Sequence, residues 1–426
     1  MAMTDLKIIG RSLRSRLFAT VLTCATVGIA VALILVLLVT RDAARSAFER
    51  GTGNMHVLVS RDSSRMGSVL NSVFYAGIPQ SVVTHAEWTA VSAHPLVDWA
   101  LLTVQGDNYR GWPTMGVEAR FFRVFRPDGV TPFELREGEF IREGAGGVWD
   151  AVIGSRAAAG AGLRVGDTFV ITHGSDADRG VVHENFTFTV RGVLRPTGTA
   201  HDRAIFVTPE SKWIVHAEDL RRAEARRAGR SDFTPPGVGN LAPGEMPVTA
   251  LYVRAKRDAT IGQLVGLLRN QFGLTAAFPG NEVSALFRIV GSVDQVLLGL
   301  AILVALTSGV SIAVAMYASM EQRRRQVAVL RVLGCSRGRI FGLVMTESAL
   351  IGLIGALAGV GAGVVGALGV ARVVESRLTV ALVPSVDPLY VMMGVSGAVL
   401  LAAVAGLIPA VLAYRTPVVR NLRPLG

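Results

Sequence analysis

Residues 320–342 read MEQRRRQVAVLRVLGCSRGRIFG, and the reading of this stretch decides the fold. An apolar run of 24 residues, 296–319, ends just before it, and a glycine-rich apolar run opens just after it. Because about 20 apolar residues suffice to cross a bilayer, the stretch is a short connection between two membrane spans. Arg323, Arg324, Arg325, Arg331, Arg337 and Arg339 stand against the single acid Glu321. Basic excess in a short connection marks the cytoplasmic side. Val327, Leu330 and Leu333 recur at helical spacing, Arg324 and Arg331 fall on another face, and Gly334 supplies a stop. Such an amphipathic helix can lie on anionic lipid or dock in a protein groove, and the pattern alone leaves both open.

Working outward, residues 1–16 form a basic leader and 17–39 an apolar run of 23 residues. That run exceeds the apolar core of a cleaved signal peptide, so it reads as a first span. Helical spacing persists beyond Arg41 until Gly51 and Gly53, which makes 17–53 a span with a stalk. Residues 54–285 contain no span; their apolar residues come in short bursts between Gly, Pro and Asp, as in a separately folded domain. Strands are expected at 55–60, 99–105, 168–172, 186–194, 204–208 and 248–255, and helices at 65–74, 209–228 and 260–271. The mixture lacks strict βαβ alternation and points to an α+β domain. Residues 233–247 read as a loop of unusual length, expected to be mobile.

The remainder divides into a stalk and second span (286–319), the cytoplasmic connection (320–340), a third span (341–371), a short loop (372–388), a fourth span (389–414) and a basic tail (415–426). In the third span Gly355, Gly359 and Gly363 share one helix face, where the absence of side chains admits a neighbouring helix closely. The spacing does not say whether that neighbour is intramolecular or a second protomer. Asp294 and Glu347 read as carboxylates at the water interface.

The net charge of +11 raises nucleic acid as a partner, but Lys7, Arg11, Arg14 and Arg16 precede the first span and Arg415, Arg420 and Arg423 follow the last. Membrane topology accounts for this charge, and no nucleic acid is expected. The two cysteines, Cys24 and Cys335, lie outside residues 54–285, so a disulfide framework there is excluded. None of the three lysines (Lys7, Lys212 and Lys256) lies in a phosphate loop, and HExxH and GxSxG are absent, so no ATPase or hydrolase activity is expected of this chain. One stretch gathers His173, Asp176, Asp178, His183, Glu184, His201 and Asp202. Their spacing fits no ligand motif, and they read more simply as polar turn residues. His173, Asp176, His183 and His201 are the candidates should the flanking strands pair around a metal. His56, His85, His94 and His216 are assigned to structure or solvent.

With this layout established, residues 321–359, EQRRRQVAVLRVLGCSRGRIFGLVMTESALIGLIGALAG, resemble the segment joining the second and third spans in the FtsX/MacB-like superfamily of ABC transporter permeases. The carrying features are a Glu-Gln-Arg-Arg start, an apolar-Leu-Arg-apolar-Leu-Gly core, Ile-Phe, and a glutamate in the following span. Residues 53–79 and 190–211, GNMHVLVSRDSSRMGSVLNSVFYAGIP and VRGVLRPTGTAHDRAIFVTPES, resemble the periplasmic core domain of one branch. The resemblance implies four transmembrane helices with a large periplasmic α+β domain inserted between the first two. It implies a multi-pass protein of the bacterial inner membrane with both termini cytoplasmic, paired with a second permease protomer. A separate ABC ATPase dimer would hold ATP and Mg, with no cofactor on this chain, and a periplasmic or lipoprotein partner is compatible. It casts Glu321, Arg323, Arg324, Arg325, Val327, Leu330, Arg331, Leu333 and Gly334 as the ATPase-coupling segment. The implied activity is export, extraction or lipoprotein release by mechanotransmission. The competing class is a membrane sensor or scaffold with a ligand-binding external domain.

Overall fold

The computed structural model describes residues 2–174, 183, 185–377 and 384–415. In chain order the helices are α1 (Ala2–Arg14), α2 (Leu17–Arg50), α3 (Arg65–Ser72), α4 (His85–Ser92), α5 (Phe121–Val124), α6 (Ser155–Ala161), α7 (Pro209–Arg227), α8 (Ile261–Asn270), α9 (Pro279–Val332), α10 (Arg337–Arg377) and α11 (Pro388–Arg415). The strands are β1 (Val57–Ser60), β2 (Val97–Tyr109), β3 (Trp112–Val117), β4 (Leu135–Gly138), β5 (Asp150–Ile153), β6 (Thr168–Phe169), β7 (Thr172–His173), β8 (Phe188–Leu194), β9 (Ile205–Val207), β10 (Ala250–Ala255) and β11 (Thr275–Ala277). Helices α2, α9, α10 and α11 are long and apolar enough to cross a membrane. The chain divides into two units, one holding residues 1–43, 290–373 and 384–426, the other 44–289 and 374–383.

In the helical unit, Val27 and Val31 of α2 pack with Ile312 and Met316 of α9, Ile351 and Ala356 of α10, and Ala402 of α11. Small residues let the backbones meet. A Cβ on Gly355 would lie 2.8 Å from the Cys24 carbonyl oxygen, one on Gly359 would lie 2.5 Å from the Gly28 carbonyl oxygen, and one on Gly363 would lie 3.0 Å from Leu35. The three glycines thus pack on α2 of the same chain. Several polar groups in this unit find partners, which matters because hydrocarbon offers none. Arg16 donates to the Ser319 carbonyl (2.9 Å), Ser308 to the Thr26 carbonyl (3.0 Å), and Arg41 pairs with Asp294 at 3.3 Å. The Ser12 hydroxyl donates to Glu347.

The 320–340 connection is not a separate short helix. Helix α9 continues through it to Val332, because no Gly or Pro occurs between Ser311 and Val332 to interrupt the ladder. Gly334, at φ +91°, ends it with the left-handed conformation that glycine adopts without a Cβ clash.

The second unit is built on one mixed sheet, ordered β11-β1-β10-β2-β3-β9-β5-β8-β4, with β6 paired to β8 and β7 to β2. Strands β2 and β3 form a hairpin closed by Arg110 (φ 49°) and Gly111 (φ 82°), two positive-φ residues between Tyr109 and Trp112. Strand β9 joins the halves, parallel to β3 and antiparallel to β5. Two cores flank this seam. One gathers Val57, Leu102, Leu251, Val253, Leu264 and Ala276, the other Ile153, Phe169, Phe188, Val193, Ile205 and Val215. Loop 233–247, expected to be mobile, is anchored by Arg221, which pairs with Glu245 at 2.6 Å and donates to the Thr234 carbonyl at 3.1 Å and the Asn240 carbonyl at 2.7 Å.

Candidate functional site

Two places carry the residues of interest, one in each unit. In the arginine-rich end of α9, Val327 is 7% exposed and belongs to the helical core with Met320, Ile340 and Val344. It is therefore committed to packing within the chain. Glu321 and Leu333 are exposed, Leu333 strongly so, and Val329 and Val332 add to the same uncovered surface. Arg331 is half-buried; Arg323, Arg324, Arg325 and Leu330 lie on the same helical stretch, and Gly334 closes it. The sequence pattern placed Val327 with the exposed anchors, but the uncovered apolar face is nearer the end of the helix.

In the α+β unit a polar cluster sits where β2, β7 and α7 meet. Lys212 is fully buried, and its Nζ lies 2.9 Å from Asp107 Oδ2, with both side chains inaccessible to solvent. The ammonium also donates to the Thr114 hydroxyl (2.9 Å) and carbonyl (3.1 Å), which satisfies its three hydrogens. Two imidazoles close over the carboxylate, His173 Nδ1 at 3.1 Å from Oδ1 and His216 Nε2 at 3.2 Å from Oδ2. His183, 6% exposed, stands beside them with Nδ1 3.5 Å from Asp219 and its Nε2 without a hydrogen-bond partner among the described residues. Lys212 and His216 share a face of α7 because they are four residues apart.

The electrostatics follow from this arrangement. Burial by itself would raise the Asp107 carboxyl, but the Lys212 ammonium and the hydrogen bonds from His173 and His216 hold it well below the ordinary carboxylate range. Burial lowers Lys212, opposed by Asp107. The hydrogen bond to Asp107 raises His173, whereas burial lowers His183.

Of the four metal candidates read from sequence, His173 and His183 belong to this cluster and Asp176 lies outside the described residues. His201 does not belong: it is fully buried elsewhere, its Nδ1 2.7 Å from the Tyr75 hydroxyl and its ring among Phe121, Phe125, Phe133 and Phe206. The 3-10 turn Ala200–Arg203 turns it into this aromatic core. Sequence reasoning missed Asp107, Lys212 and His216. The usable signal was a lysine, rare in this arginine-rich chain, one helical turn before a histidine.

His201 makes one pH dependence explicit. Burial lowers its pKa to about 3, so in the folded domain it stays neutral where the unfolded chain, near 6.5, takes up a proton. Stability is unaffected above that range and falls as pH drops from 6.5 toward 3, by about 2 kcal/mol at pH 5 from this residue. All five tryptophans (88, 99, 112, 149 and 213) lie within residues 44–289, so their fluorescence reports this domain in the full-length, detergent-solubilised protein. His201→Gln is expected to flatten the loss between pH 6.5 and 4; an unchanged pH profile would reject the assignment.

Four helices long and apolar enough to cross a membrane, with an α+β domain between the first two in the chain, describe a multi-span membrane protein. Residues 20–271 match the family model described as MacB-like periplasmic core domain, and residues 298–418 match FtsX-like permease C-terminal. The chain belongs to the FtsX/MacB-like family of ABC transporter permeases. No curated protein matches it. Among solved structures, it is similar to the extracellular domain of the noncanonic ABC-type transporter YknZ from Gram-positive bacteria, at 11% identity and a TM-score of 0.27, over 52% of this chain and 95% of that one.

Proposed function

We propose that this chain is the transmembrane subunit of an ABC transporter in which a separate ATPase dimer, holding ATP and Mg, acts on the arginine-rich end of α9. Movement there drives the α+β domain, on the opposite side of the bacterial inner membrane, to export, extract or release cargo by mechanotransmission. The observation that carries this reading is the unbroken course of α9 from Pro279 to Val332. A 54-residue helix is about 80 Å long, well beyond the thickness of a bilayer. The exposed Val329, Val332 and Leu333 give a partner apolar anchors on a stretch of helix rich in arginine. Two copies of the permease working with two ATPase subunits, both termini cytoplasmic, complete the proposal.

The test is purification of the full-length protein from its native membrane. An ABC ATPase is expected to co-purify, and the triple change Arg323→Glu, Arg324→Glu, Arg325→Glu is expected to release it and abolish ATP-dependent function while membrane insertion persists. Unchanged co-purification and function in the triple variant would reject the coupling assignment. A companion that does not turn over nucleotide would favour the sensor or scaffold class.

A further inference from the structure

We propose that His173, His183 and His216 form a binding site for a divalent transition metal of the zinc class, with Asp107 and Asp219 orienting the imidazoles. The rings stand close together, with centroid separations of 5.3 Å for His173–His216, 6.0 Å for His183–His216 and 6.4 Å for His173–His183, and ligand atoms of Asp107, His173 and His216 lie within 4.8 Å of one another. Imidazole nitrogens bind zinc at about 2.0–2.1 Å in tetrahedral geometry, which sets ring centres about 5 Å apart. The His173–His216 pair already stands near that separation, and the two pairs with His183 exceed it by about 1 Å. The ring planes stand at 76°, 81° and 87° to one another, so the rings converge edge-on rather than stack, as separate ligands of one ion do.

The hydrogen bonding points the same way. A carboxylate only accepts, so His173 presents Nδ1–H and His216 presents Nε2–H to Asp107, and each keeps a lone pair on its other nitrogen. The His183 Nδ1 faces Asp219 at 3.5 Å, and its Nε2 is buried without a partner among the described residues. An orphaned buried nitrogen costs stability unless something satisfies it. Each histidine thus has one nitrogen toward a carboxylate and one available as a ligand, the arrangement in which carboxylates fix the tautomer of metal-bound imidazoles. Three nitrogen donors favour zinc-class ions over calcium or magnesium, which take oxygen. Asp107 lies between Lys212 and the imidazoles, so its negative charge separates the ammonium from the ion. The His173 side chain is 57% exposed, which leaves an approach from solvent. A bound ion would tie α7 to the β2–β7 edge of the sheet. The proposal modifies the expectation that this chain holds no metal, and it stands independently of ATPase coupling.

The experiment adds cobalt(II) chloride to the full-length protein in detergent and records the visible d–d spectrum, followed by displacement with zinc chloride. Stoichiometric uptake is expected, with the intense bands of four- or five-coordinate cobalt and without thiolate charge transfer, since Cys24 and Cys335 lie in the other unit. His183→Gln and His216→Gln are each expected to weaken binding at least about tenfold, and His85→Gln to leave it unchanged. Should either variant fail to fold by tryptophan fluorescence, the more exposed His173→Gln supplies the same comparison. Absence of the intense bands in the wild type, or wild-type affinity in the folded histidine variants, would overturn the proposal.

Discussion

Replacing Lys212 with methionine is expected to destabilise the α+β domain by about 3–5 kcal/mol, because it leaves a buried carboxylate without its charge partner. Both side chains of the pair are inaccessible to solvent, and among the described residues Asp107 then keeps His173 and His216 to answer its charge. Methionine fills similar volume, so the cost measures lost charge compensation rather than a cavity. Asp107→Asn is expected to be damaging for the converse reason, since the Lys212 ammonium would then have only the Thr114 oxygens and a neutral amide. The combined Lys212→Met, Asp107→Asn variant is expected to be clearly less destabilised than the sum of the single changes, because neither charge is left stranded. Urea unfolding followed by tryptophan fluorescence measures all three. Additive losses would show that the two groups do not act as a pair.

The second large effect belongs to the helical unit. A Cβ at Gly359 would stand 2.5 Å from the Gly28 carbonyl oxygen and 2.9 Å from the Gly28 Cα, and backbone atoms cannot rotate aside as a side chain can. Gly359→Ala is therefore expected to cost about 1–3 kcal/mol, and Gly359→Leu to separate α2 from α10 altogether. Gly361, two residues along, has open space around its would-be Cβ and is exposed, so Gly361→Leu is the matched control and should melt like the wild type. Thermal unfolding in detergent, read by gel filtration after heating, separates the outcomes. Equal behaviour of the two leucine variants would mean that the close approach is not what holds these helices.

What could be read from the sequence divides by range. The four apolar helices announce themselves because a run of about 20 apolar residues is a local signal, needing no knowledge of the rest of the chain. Strands β8 and β10 were legible for the same reason, being rich in β-branched and aromatic residues. Strand β3, WPTMGV, was not, because Pro113 and Gly116 read as turn residues; Gly116 is needed where Lys212 crosses, its would-be Cβ 3.1 Å from the lysine side chain. Strands β5 and β11, of four and three residues, are too short to show a period. The polar cluster was hidden more deeply. Asp107, His173, His183 and the Lys212–His216 pair of α7 are spread along the chain, and only pairing of β7 with β2 and packing of α7 brings them together. Even a correct list of strands would have left that juxtaposition undetermined.

The seam at β9 has a consequence for how this domain can diversify. The chain leaves the first half of the sheet at Val117 and re-enters alongside it in β9, where Ile205 pairs with Thr114 and Val207 with Gly116. Residues 118–204 are thus a graft whose entry and exit lie within a few residues of each other on adjoining strands. Such a segment can be shortened, enlarged or exchanged between lineages while β1, β2, β10 and β11 keep their registers. Changes within the graft then need no redesign of the stock that carries it.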